Sequence, residues 1–291
     1  MVNYDVIVIG AGYWGTASTI ELRKTGKKVL QIDSNDSMSG SRAASGICDP
    51  RAYDSNTFKR YWPSDWSKSD LTESLSWLLN HKGFKVTEYF WNQFQNREVR
   101  ESIECIYVPT PESFTSLTSP LKGIVVSGTV EKKITVHLAD SREYTSNYLV
   151  VAAGYKSDEV LKSFSLHELG VTQLYGRGLN VKGTPKVSTP VSVMIRPYVK
   201  HTVRSWSNGL YKVGDTAEKN IKDSNLENLR KVGQAVLKNY EEVKMTEGYR
   251  PVLDQFTVTK VNPRVVVATG GQRLSLGLCG LVGRKVVECL K

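Results

Sequence analysis

The chain has 291 residues, of which 40% are hydrophobic, and it carries a formal net charge of +10 at neutral pH. This length and composition allow a sizeable buried core and exclude an intrinsically disordered chain. The lack of any run of about 18 apolar residues argues against a membrane span, and Asp5 interrupts the first apolar stretch. We therefore expect a soluble protein of the cytoplasm, or of the host cytoplasm if the chain is viral.

A strand, a glycine-rich turn and a helix follow one another at the start of the chain. Residues 6–9 are an apolar run typical of a buried strand, the turn reads Gly10-x-Gly12-x-x-Gly15, and a second strand over 29–32 ends at Asp33. Such a unit binds a dinucleotide, because its turn brings the pyrophosphate to the helix amino terminus and its acid accepts hydrogen bonds from a ribose. The predicted contacts are Gly10, Gly12, Tyr13, Trp14, Gly15 and Asp33.

No second glycine motif of this type occurs, which favours one nucleotide cofactor over separate sites for FAD and NAD(P)H. The stretch 39–50, SGSRAASGICDP, is small and polar and suits passage of the backbone along a flat ligand; a flexible loop is the alternative. The four cysteines form no CxxC pair, and neither they nor the four histidines have the spacing of a metal site. The predicted cofactor contacts in 39–50 are Ser41, Arg42, Ser45, Gly46 and Ile47.

An aromatic cluster lies between residues 53 and 94 and includes Trp62, Trp66 and Trp77. Because the charges of this segment nearly balance, we predict that the rings pack in the core or in a lid. The sequence TPESF at 110–114 has the signature of a helix start, with Thr110 as the cap and Pro111 in the first position.

The segment 177–214 contains seven Lys and Arg residues and no acid. Within it, residues 195–206 alternate as in a single strand, with basic and aromatic side chains on one face. Cations interleaved with rings suit a polynucleotide, whose phosphates pair with the charges and whose bases stack on the rings. A solvated outer face of a sheet is the alternative. The predicted nucleic-acid contacts are Arg196, Tyr198, Lys200, Arg204 and Trp206.

Three later segments extend the pattern of the first unit. Residues 149–154 form an apolar strand that ends in a glycine, residues 263–290 repeat strand, glycine turn and helix, and GYRPVLDQ stands between them at 248–255. The helix of the last segment is predicted from about residue 276. Taken in order, these motifs resemble the FAD-dependent amine and amino-acid oxidases of the D-amino-acid oxidase superfamily, especially the glycine oxidase and sarcosine oxidase branch. The resemblance spans essentially the whole chain.

The resemblance implies an α/β fold in which a Rossmann-like FAD-binding domain is interleaved with a largely antiparallel α+β substrate domain. The FAD-binding domain would comprise residues 1–58, 119–170 and 249–291, and the substrate domain residues 59–118 and 171–248. We expect a noncovalent flavin, although Cys48 could approach the ring. The further FAD contacts that the resemblance implies are Val130, Ala153, Gly154, Gly271, Gln272, Arg273 and Leu274.

Two arginines carry the implied chemistry. Arg250 in GYRP and Arg273 in GGQR match the positions at which relatives close to glycine oxidase hold the substrate carboxylate, and a guanidinium fork fits a carboxylate with two parallel hydrogen bonds. Arg273 is the one charge in residues 269–283, so its burial would require an anion beside it. An ion pair with a protein carboxylate is the alternative for each arginine.

Two features depart from the pattern of the relatives. Gly271 stands where a larger polar residue is common, and the tyrosine that often aids substrate binding has no clear counterpart. Tyr249, and also Tyr198, are the candidates for that role, so the predicted catalytic group is Arg250, Arg273 and Tyr249.

The implied reaction is oxidation of an amine next to a carboxylate, for which no protein base is strictly required. This reaction and the basic segment together lead to the hypothesis that the protein cleaves the C–N bond of a glycine attached to a nucleic-acid base. The substrate would be glycyl-thymidine-like or carboxymethylaminomethyl-uridine-like. Its oxidation would leave an aminomethyl base and glyoxylate. An oxidase of free glycine, sarcosine or a D-amino acid that releases hydrogen peroxide is the alternative. A nucleic-acid binder that has lost flavin chemistry is a third hypothesis, and the missing NAD(P)H motif disfavours a flavin monooxygenase. The expected partners are a carboxylate-bearing amine and DNA or RNA, without a membrane.

Overall fold

Two β-sheets, each of eight strands in the part of the chain that is described, organise the protein. The computed structural model describes residues 3–44, 46–54, 59–92, 97–108, 111–187, 189, 191–196, 199–207, 209–214 and 226–291. Its helices are α1 (Tyr13–Lys24), α2 (Gly40–Ala43), α3 (Arg51–Asp54), α4 (Lys68–Leu79), α5 (Pro111–Thr115), α6 (Ser157–Ser163), α7 (Leu226–Val236) and α8 (Cys279–Cys289). The mixed α/β class predicted from the sequence is confirmed.

The first sheet has a parallel centre. Its strands are β1 (Asn3–Ile9), β2 (Val29–Asp33), β6 (Leu121–Lys122), β7 (Val125–Val130), β8 (Ile134–Leu138), β9 (Glu143–Val151), β15 (Thr257–Asn262) and β16 (Val265–Thr269). The order is β15-β16-β9-β1-β2-β6, with β16, β9, β1, β2 and β6 parallel and β15 antiparallel at the edge. The antiparallel pair β7 and β8 joins the first half of β9.

Both faces of the first sheet are buried, which explains its continuous apolar runs. In β1, Val6 and Val8 belong to the hydrophobic cluster on one face, and Ile7 and Ile9 belong to the cluster on the other. The predicted order of strand, glycine turn, helix and second strand over residues 3–33 is confirmed.

Helices α1, α4 and α8 pack together on one face of this sheet. A Cβ at position 283 would lie 2.9 Å from the Ala17 carbonyl oxygen of α1, so α8 approaches α1 closely at a glycine. The Ser74 hydroxyl of α4 donates to the Gly277 carbonyl (2.7 Å) and accepts from the Leu281 N–H of α8 (3.0 Å). Helix α4 falls within the segment 59–118 that we assigned to the substrate domain, yet it covers the first sheet. The domain boundaries stay a prediction.

The second sheet is largely antiparallel and carries α7. Its strands are β3 (Ile47–Cys48), β4 (Phe84–Asn92), β5 (Arg97–Tyr107), β10 (Thr172–Pro185), β11 (Val191–Arg196), β12 (Val199–Ser207), β13 (Leu210–Gly214) and β14 (Leu237–Val252), in the order β14-β10-β13-β12-β11-β4-β5-β3. Strands β11 and β4 are parallel, and the other neighbours are antiparallel. Leu229, Val232 and Val236 of α7 pack on the face of this sheet that points away from the first sheet.

The prediction of one continuous strand over residues 195–206 is wrong. Strand β11 ends at Arg196, β12 begins at Val199, and the two strands pair antiparallel, with Val191 opposite Val203. Proline has no N–H with which to continue a ladder of hydrogen bonds, so the proline in the sequence between the two strands disfavours one continuous strand. The predicted face is therefore divided between two strands, with Arg196 in β11 and Lys200, Thr202, Arg204 and Trp206 in β12.

The aromatic cluster packs against the core, as predicted. Trp77 is buried, and Trp62 and Trp66 are half-buried against the buried Phe256 ring. Helix α5 begins at Pro111, while its predicted cap, Thr110, lies outside the described residues. Among the helices that the structure describes, none combines the length and apolar character needed to cross a bilayer.

Candidate active site

A cavity of about 440 Å³ runs across the carboxyl ends of four parallel strands. These strands lie side by side in the order β16, β9, β1, β2, and each contributes the residues at its carboxyl end to the wall. Adjacent strands are about 4.8 Å apart, so the lined edge extends over roughly 14 Å. The second sheet closes the cavity with Ile47 and Cys48 of β3, Thr202 of β12, and residues 249–251 of β14.

The turn between β1 and α1 has the form that a phosphate needs. Gly10 has a φ of +107°, which residues with a side chain rarely adopt, and Gly12 caps α1 without a side-chain hydrogen bond to the helix. Gly10 and Gly12 line the cavity, together with Tyr13 and Trp14. Gly15 lies outside the cavity wall and packs against the Gly10 carbonyl. The cavity thus meets the positive end of a helix.

Asp33 lies at the cavity end formed by β2, and its carboxylate holds the glycine turn. It accepts hydrogen bonds from the Ala11 N–H (2.6 Å) and the Asn35 N–H (2.8 Å). Arg42, a predicted cofactor contact, is not part of the cavity wall and forms an ion pair with Asp33 at 3.3 Å. The role of Asp33 toward a ribose therefore stays a prediction.

The segment that follows β16 lies against Trp14 at the opposite end of the cavity. The Trp14 indole N–H donates to the Ser275 carbonyl (2.8 Å), and a Cβ at position 271 would overlap the Trp14 ring. Gly271 is therefore required by the neighbouring tryptophan, which accounts for its departure from the larger residue of relatives. The helix predicted from about residue 276 begins at Cys279 and is preceded by a 3-10 turn at Gln272–Leu274.

Cys48 lines the cavity as a buried neutral thiol. Burial raises the pKa of Cys48 to about 12, and the Tyr53 hydroxyl lies 3.3 Å from its sulfur. Burial likewise raises the pKa of Tyr53 and of Cys279. A thiol is nucleophilic as its thiolate, so this environment disfavours a covalent bond from Cys48 to a ligand.

Arg250, Arg273 and Tyr249 line the same cavity from two different elements. Tyr249 and Arg250 are half-buried near the end of β14, and the Tyr249 N–H donates to the Met38 carbonyl (2.9 Å). Arg273 is exposed on the 3-10 turn, so the prediction that it is buried among apolar residues is wrong. The turn buries Leu274 and directs the preceding residue outward. Within the described residues, the Arg273 side chain forms no hydrogen bond or ion pair.

A second polar group at the cavity wall was missed from the sequence. The Tyr155 ring lies 5.1 Å from the Tyr249 ring, and its hydroxyl donates to Asp36, which also pairs with Lys156 at 3.0 Å. Burial alone would raise the pKa of Asp36, but these hydrogen bonds lower it, and burial beside Asp36 raises the pKa of Tyr155. The position of Tyr155 and Lys156 directly after the Ala153-Gly154 turn was the available signal.

The basic residues of β12 and β13 do not form an exposed surface where the structure describes them. Arg204 is 1% exposed and Lys212 is 0% exposed. The Arg204 guanidinium donates to the Tyr107 hydroxyl (2.9 Å) and the Ala44 carbonyl (3.5 Å), and the Lys212 ammonium donates to the Ala43 carbonyl. The prediction of Arg204 as a surface contact for nucleic acid is therefore wrong, because it anchors the segment after α2. Tyr198 and the side chains of Arg196, Lys200 and Trp206 lie outside what the structure describes.

Most of the predicted cofactor contacts meet in this one cavity. Val130 does not, because it stands at the far end of β7, whose first residue Val125 lines the wall together with Gly123 and Ile124. Ser45 lies outside the described residues. The predicted residues that line the cavity are Gly10, Gly12, Tyr13, Trp14, Asp33, Ser41, Gly46, Ile47, Ala153, Gly154, Tyr249, Arg250, Gly271, Gln272, Arg273 and Leu274.

Solved structures of flavoenzymes have the same fold. The chain matches glycine oxidase from Bacillus cereus ATCC 14579 with a TM-score of 0.70 and 16% identity, over 99% of this chain and 94% of that one. It matches iminodiacetate oxidase from Chelativorans sp. BNC1 with a TM-score of 0.68 and 15% identity, over 98% and 94% of the two chains. L-α-glycerophosphate oxidase from Mycoplasma pneumoniae, solved with FAD bound, matches with a TM-score of 0.68 and 16% identity, over 100% and 95%.

These likenesses confirm the architecture that the resemblance implied. No protein-family model matches the sequence, and no curated protein matches it significantly.

Proposed function

We propose that the protein binds FAD in this cavity and oxidises an amine next to a carboxylate. The observation that carries the proposal is the common cavity, which joins the Gly10 turn and the uncapped start of α1 to Arg250 and Arg273. The end of the cavity at α1 suits a pyrophosphate, and the end at the two arginines offers guanidinium groups to a substrate carboxylate.

The residues present fit FAD by their shape and by their chemistry. Gly10 has a positive φ and Gly271 packs directly against the Trp14 ring, so at these positions the wall is formed by backbone. The start of α1 would hold the pyrophosphate, and the segment 271–276 would lie beside the ring system. Bound FAD supplies the electron acceptor for the oxidation. The neutral Cys48 thiol supports a noncovalent cofactor.

The two arginines would bind and orient the substrate. Arg250 is half-buried in the wall, whereas Arg273 is exposed at the cavity, so Arg250 would fix the carboxylate and Arg273 would close over it. This arrangement holds the α-carbon in one position during the oxidation. No side chain is needed as a base, because the substrate amine can lose its proton to solvent before its C–H bond breaks.

The finer proposal is that the amine is a glycine attached to a nucleic-acid base. Oxidation of its α-carbon gives an imine, and water then releases glyoxylate and leaves the aminomethyl base. The exposure of Arg273 supports it, because a cavity open at this point leaves room for a large substituent on the amine. The buried Arg204 and Lys212 do not support it. Free glycine, sarcosine and D-amino acids are the alternative substrates.

Anaerobic bleaching of the flavin tests both levels of the proposal. The purified protein is expected to be yellow and to bleach with a carboxylate-bearing amine, and the panel contains glycine, sarcosine, D-alanine and glycyl-modified nucleosides, free and in polynucleotide. Bleaching by free glycine alone would select the alternative substrates. A colourless protein, or one that binds nucleic acid without bleaching, would contradict the proposed oxidation, and bleaching by NADPH would point to a monooxygenase.

Arg250→Leu and Arg273→Leu test the carboxylate clamp. Each variant is expected to keep its flavin and to bind a carboxylate-bearing substrate at least about ten-fold more weakly, because a hydrogen bond to a charged group contributes about 1.5–3 kcal/mol. Affinity is measured by anaerobic titration, with Arg230→Leu on the exposed side of α7 as the control. Unchanged affinity in both cavity variants would refute the clamp.

A further inference from the structure

Tyr53 joins helix α3 to the turn that carries Arg273. It is 4% exposed and lines the candidate active site. Its hydroxyl donates to the Leu274 carbonyl (3.2 Å), which belongs to the residue directly after Arg273. A buried hydroxyl from a distant part of the chain therefore holds the backbone next to an arginine that we assign to the substrate.

The Tyr53 hydroxyl is surrounded by partners from the protein itself. A hydroxyl has one proton, and the Leu274 carbonyl accepts it, so the Cys48 thiol is the donor in its contact with the Tyr53 oxygen at 3.3 Å. The backbone of Gly277 also forms a hydrogen bond with this oxygen. A Cβ at position 277 would lie 2.0 Å from it, so the approach requires a glycine. Tyr53 thus acts on the turn rather than on a ligand.

The turn that Tyr53 holds has a strained backbone. Gln272, directly before Arg273, has a φ of +44°, in the left-handed region that residues other than glycine rarely adopt. Such a conformation persists where the surrounding contacts enforce it. The Trp14 indole N–H holds the Ser275 carbonyl (2.8 Å), so two consecutive carbonyls after Arg273 are held, one from α3 and one from α1.

We infer that Tyr53 is a positioning residue for Arg273. Its hydrogen bond to the Leu274 carbonyl keeps the strained turn in the conformation that holds the Arg273 guanidinium at the cavity. Because no described side chain pairs with the exposed Arg273 side chain, the backbone of the turn determines where its guanidinium can reach. This role rests on the proposed function, in which Arg273 binds the substrate carboxylate and the geometry of binding orients the α-carbon.

Hydrogen exchange tests the contact between Tyr53 and the turn. Tyr53→Phe keeps the buried ring, and the Leu278 N–H still donates to the Leu274 carbonyl (3.2 Å), so the variant is expected to fold. The amides of residues 271–279 should exchange faster in Tyr53→Phe than in the wild type, with and without flavin. Tyr240→Phe is the matched control, since it removes a hydroxyl of β14 outside the cavity wall. Unchanged exchange in 271–279 would refute the role of Tyr53.

Binding of acetate tests whether Tyr53 acts through Arg273. Acetate has the carboxylate but no amine to oxidise, its binding is followed by flavin absorbance, and acetamide is the uncharged control ligand. Tyr53→Phe is expected to weaken acetate binding about two- to ten-fold, the range for loss of one hydrogen bond, and to leave acetamide binding unchanged. In an Arg273→Leu background the same substitution should have no further effect. A merely structural effect would weaken binding equally in both backgrounds.

The outcomes separate this role of Tyr53 from the proposed function. If acetate binds equally to the wild type and to Tyr53→Phe, or if Tyr53→Phe weakens binding as much in the Arg273→Leu background, only the role of Tyr53 is refuted. If the wild type binds no acetate, the carboxylate site of the proposed function is contradicted, and the role of Tyr53 fails with it.

Discussion

Trp14 decides which residue can occupy position 271. Its ring occupies the space that a Cβ at 271 would need, and its indole N–H fixes the Ser275 carbonyl. The sequence motif predicted that Trp14 contacts a cofactor, but it did not predict that Trp14 also shapes the opposite wall. That contact joins residues 261 positions apart in the chain. Local patterns do not contain such information.

Gly271→Ala is expected to reduce flavin content and to destabilise the folded protein by about 1–3 kcal/mol, because the added methyl overpacks the wall. Trp14→Phe should partly rescue the variant, since the smaller ring leaves room for the methyl. Flavin absorbance and urea unfolding measure the two effects. Gly214→Ala is the control, as a Cβ there has its nearest neighbour at an ordinary 3.9 Å. Normal flavin content in Gly271→Ala would contradict this account.

The raised pKa of Cys48 predicts both its reactivity and a dependence of stability on pH. At neutral pH, iodoacetamide should modify the half-buried Cys289 before Cys48 or Cys279, as peptide mass spectrometry can determine.

The Cys48 thiol has an ordinary pKa of 9.0 when exposed and about 12 in the fold, so the thiol of the unfolded state ionises first as the pH rises. Its stabilising contribution is complete below pH 9 and is lost as the pH rises toward 12.

Thermal unfolding followed from neutral to alkaline pH should therefore show a decline that is shallower in Cys48→Ala. Acid precipitation should release all of the flavin colour into the supernatant. Colour retained by the precipitated protein would show a covalent bond and contradict a neutral thiol at position 48.

At the scale of elements, the sequence predicted strands and helices with a strong local signature. The unit of β1, α1 and β2, the strand before Gly154 and the strand before Gly270 were all predicted. The hairpin of β11 and β12 was missed because alternation continues through Pro197, and the partners that reverse the chain lie in other strands. The burial of Arg204 was also missed, because its hydrogen-bond partners, Tyr107 and Ala44, lie in distant parts of the chain.

One buried hydroxyl group, that of Ser74, forms hydrogen bonds between α4 and the start of α8. Ser74→Ala should destabilise the protein by about 1–3 kcal/mol, because the buried Gly277 carbonyl loses its donor and the Leu281 N–H loses its acceptor. Ser76→Ala is the matched control, since Ser76 lies on the exposed side of the same helix and its hydroxyl donates to the Thr72 carbonyl of that helix (3.0 Å). Urea unfolding measures both variants, and equal effects would contradict the role of Ser74.

At the scale of the whole molecule, the cavity is assembled from distant parts of the chain. The first sheet supplies four strand ends, and β3, β12 and β14 of the second sheet supply the facing wall. A ligand in this cavity therefore contacts both sheets. The sequence predicted which residues belong to the wall better than it predicted the wall's charge and exposure, which depend on how the two sheets meet.

Removal of the flavin should lower the stability of the entire fold. With free FAD at about 100 times its Kd, binding is expected to contribute about 2.7 kcal/mol, which raises the melting temperature relative to the apoprotein. Differential scanning fluorimetry with added FAD measures the shift, and riboflavin, which lacks the pyrophosphate, is the control ligand. An identical shift with riboflavin would contradict a pyrophosphate site at α1.

The packing of α1 against α8 also sets a constraint on biosynthesis. Helix α1 leaves the ribosome before α8, which packs against it and is translated more than 250 residues later. The apolar side of α1 therefore stays uncovered until α8 has been synthesised. During this time the nascent polypeptide is prone to aggregate or to bind chaperones.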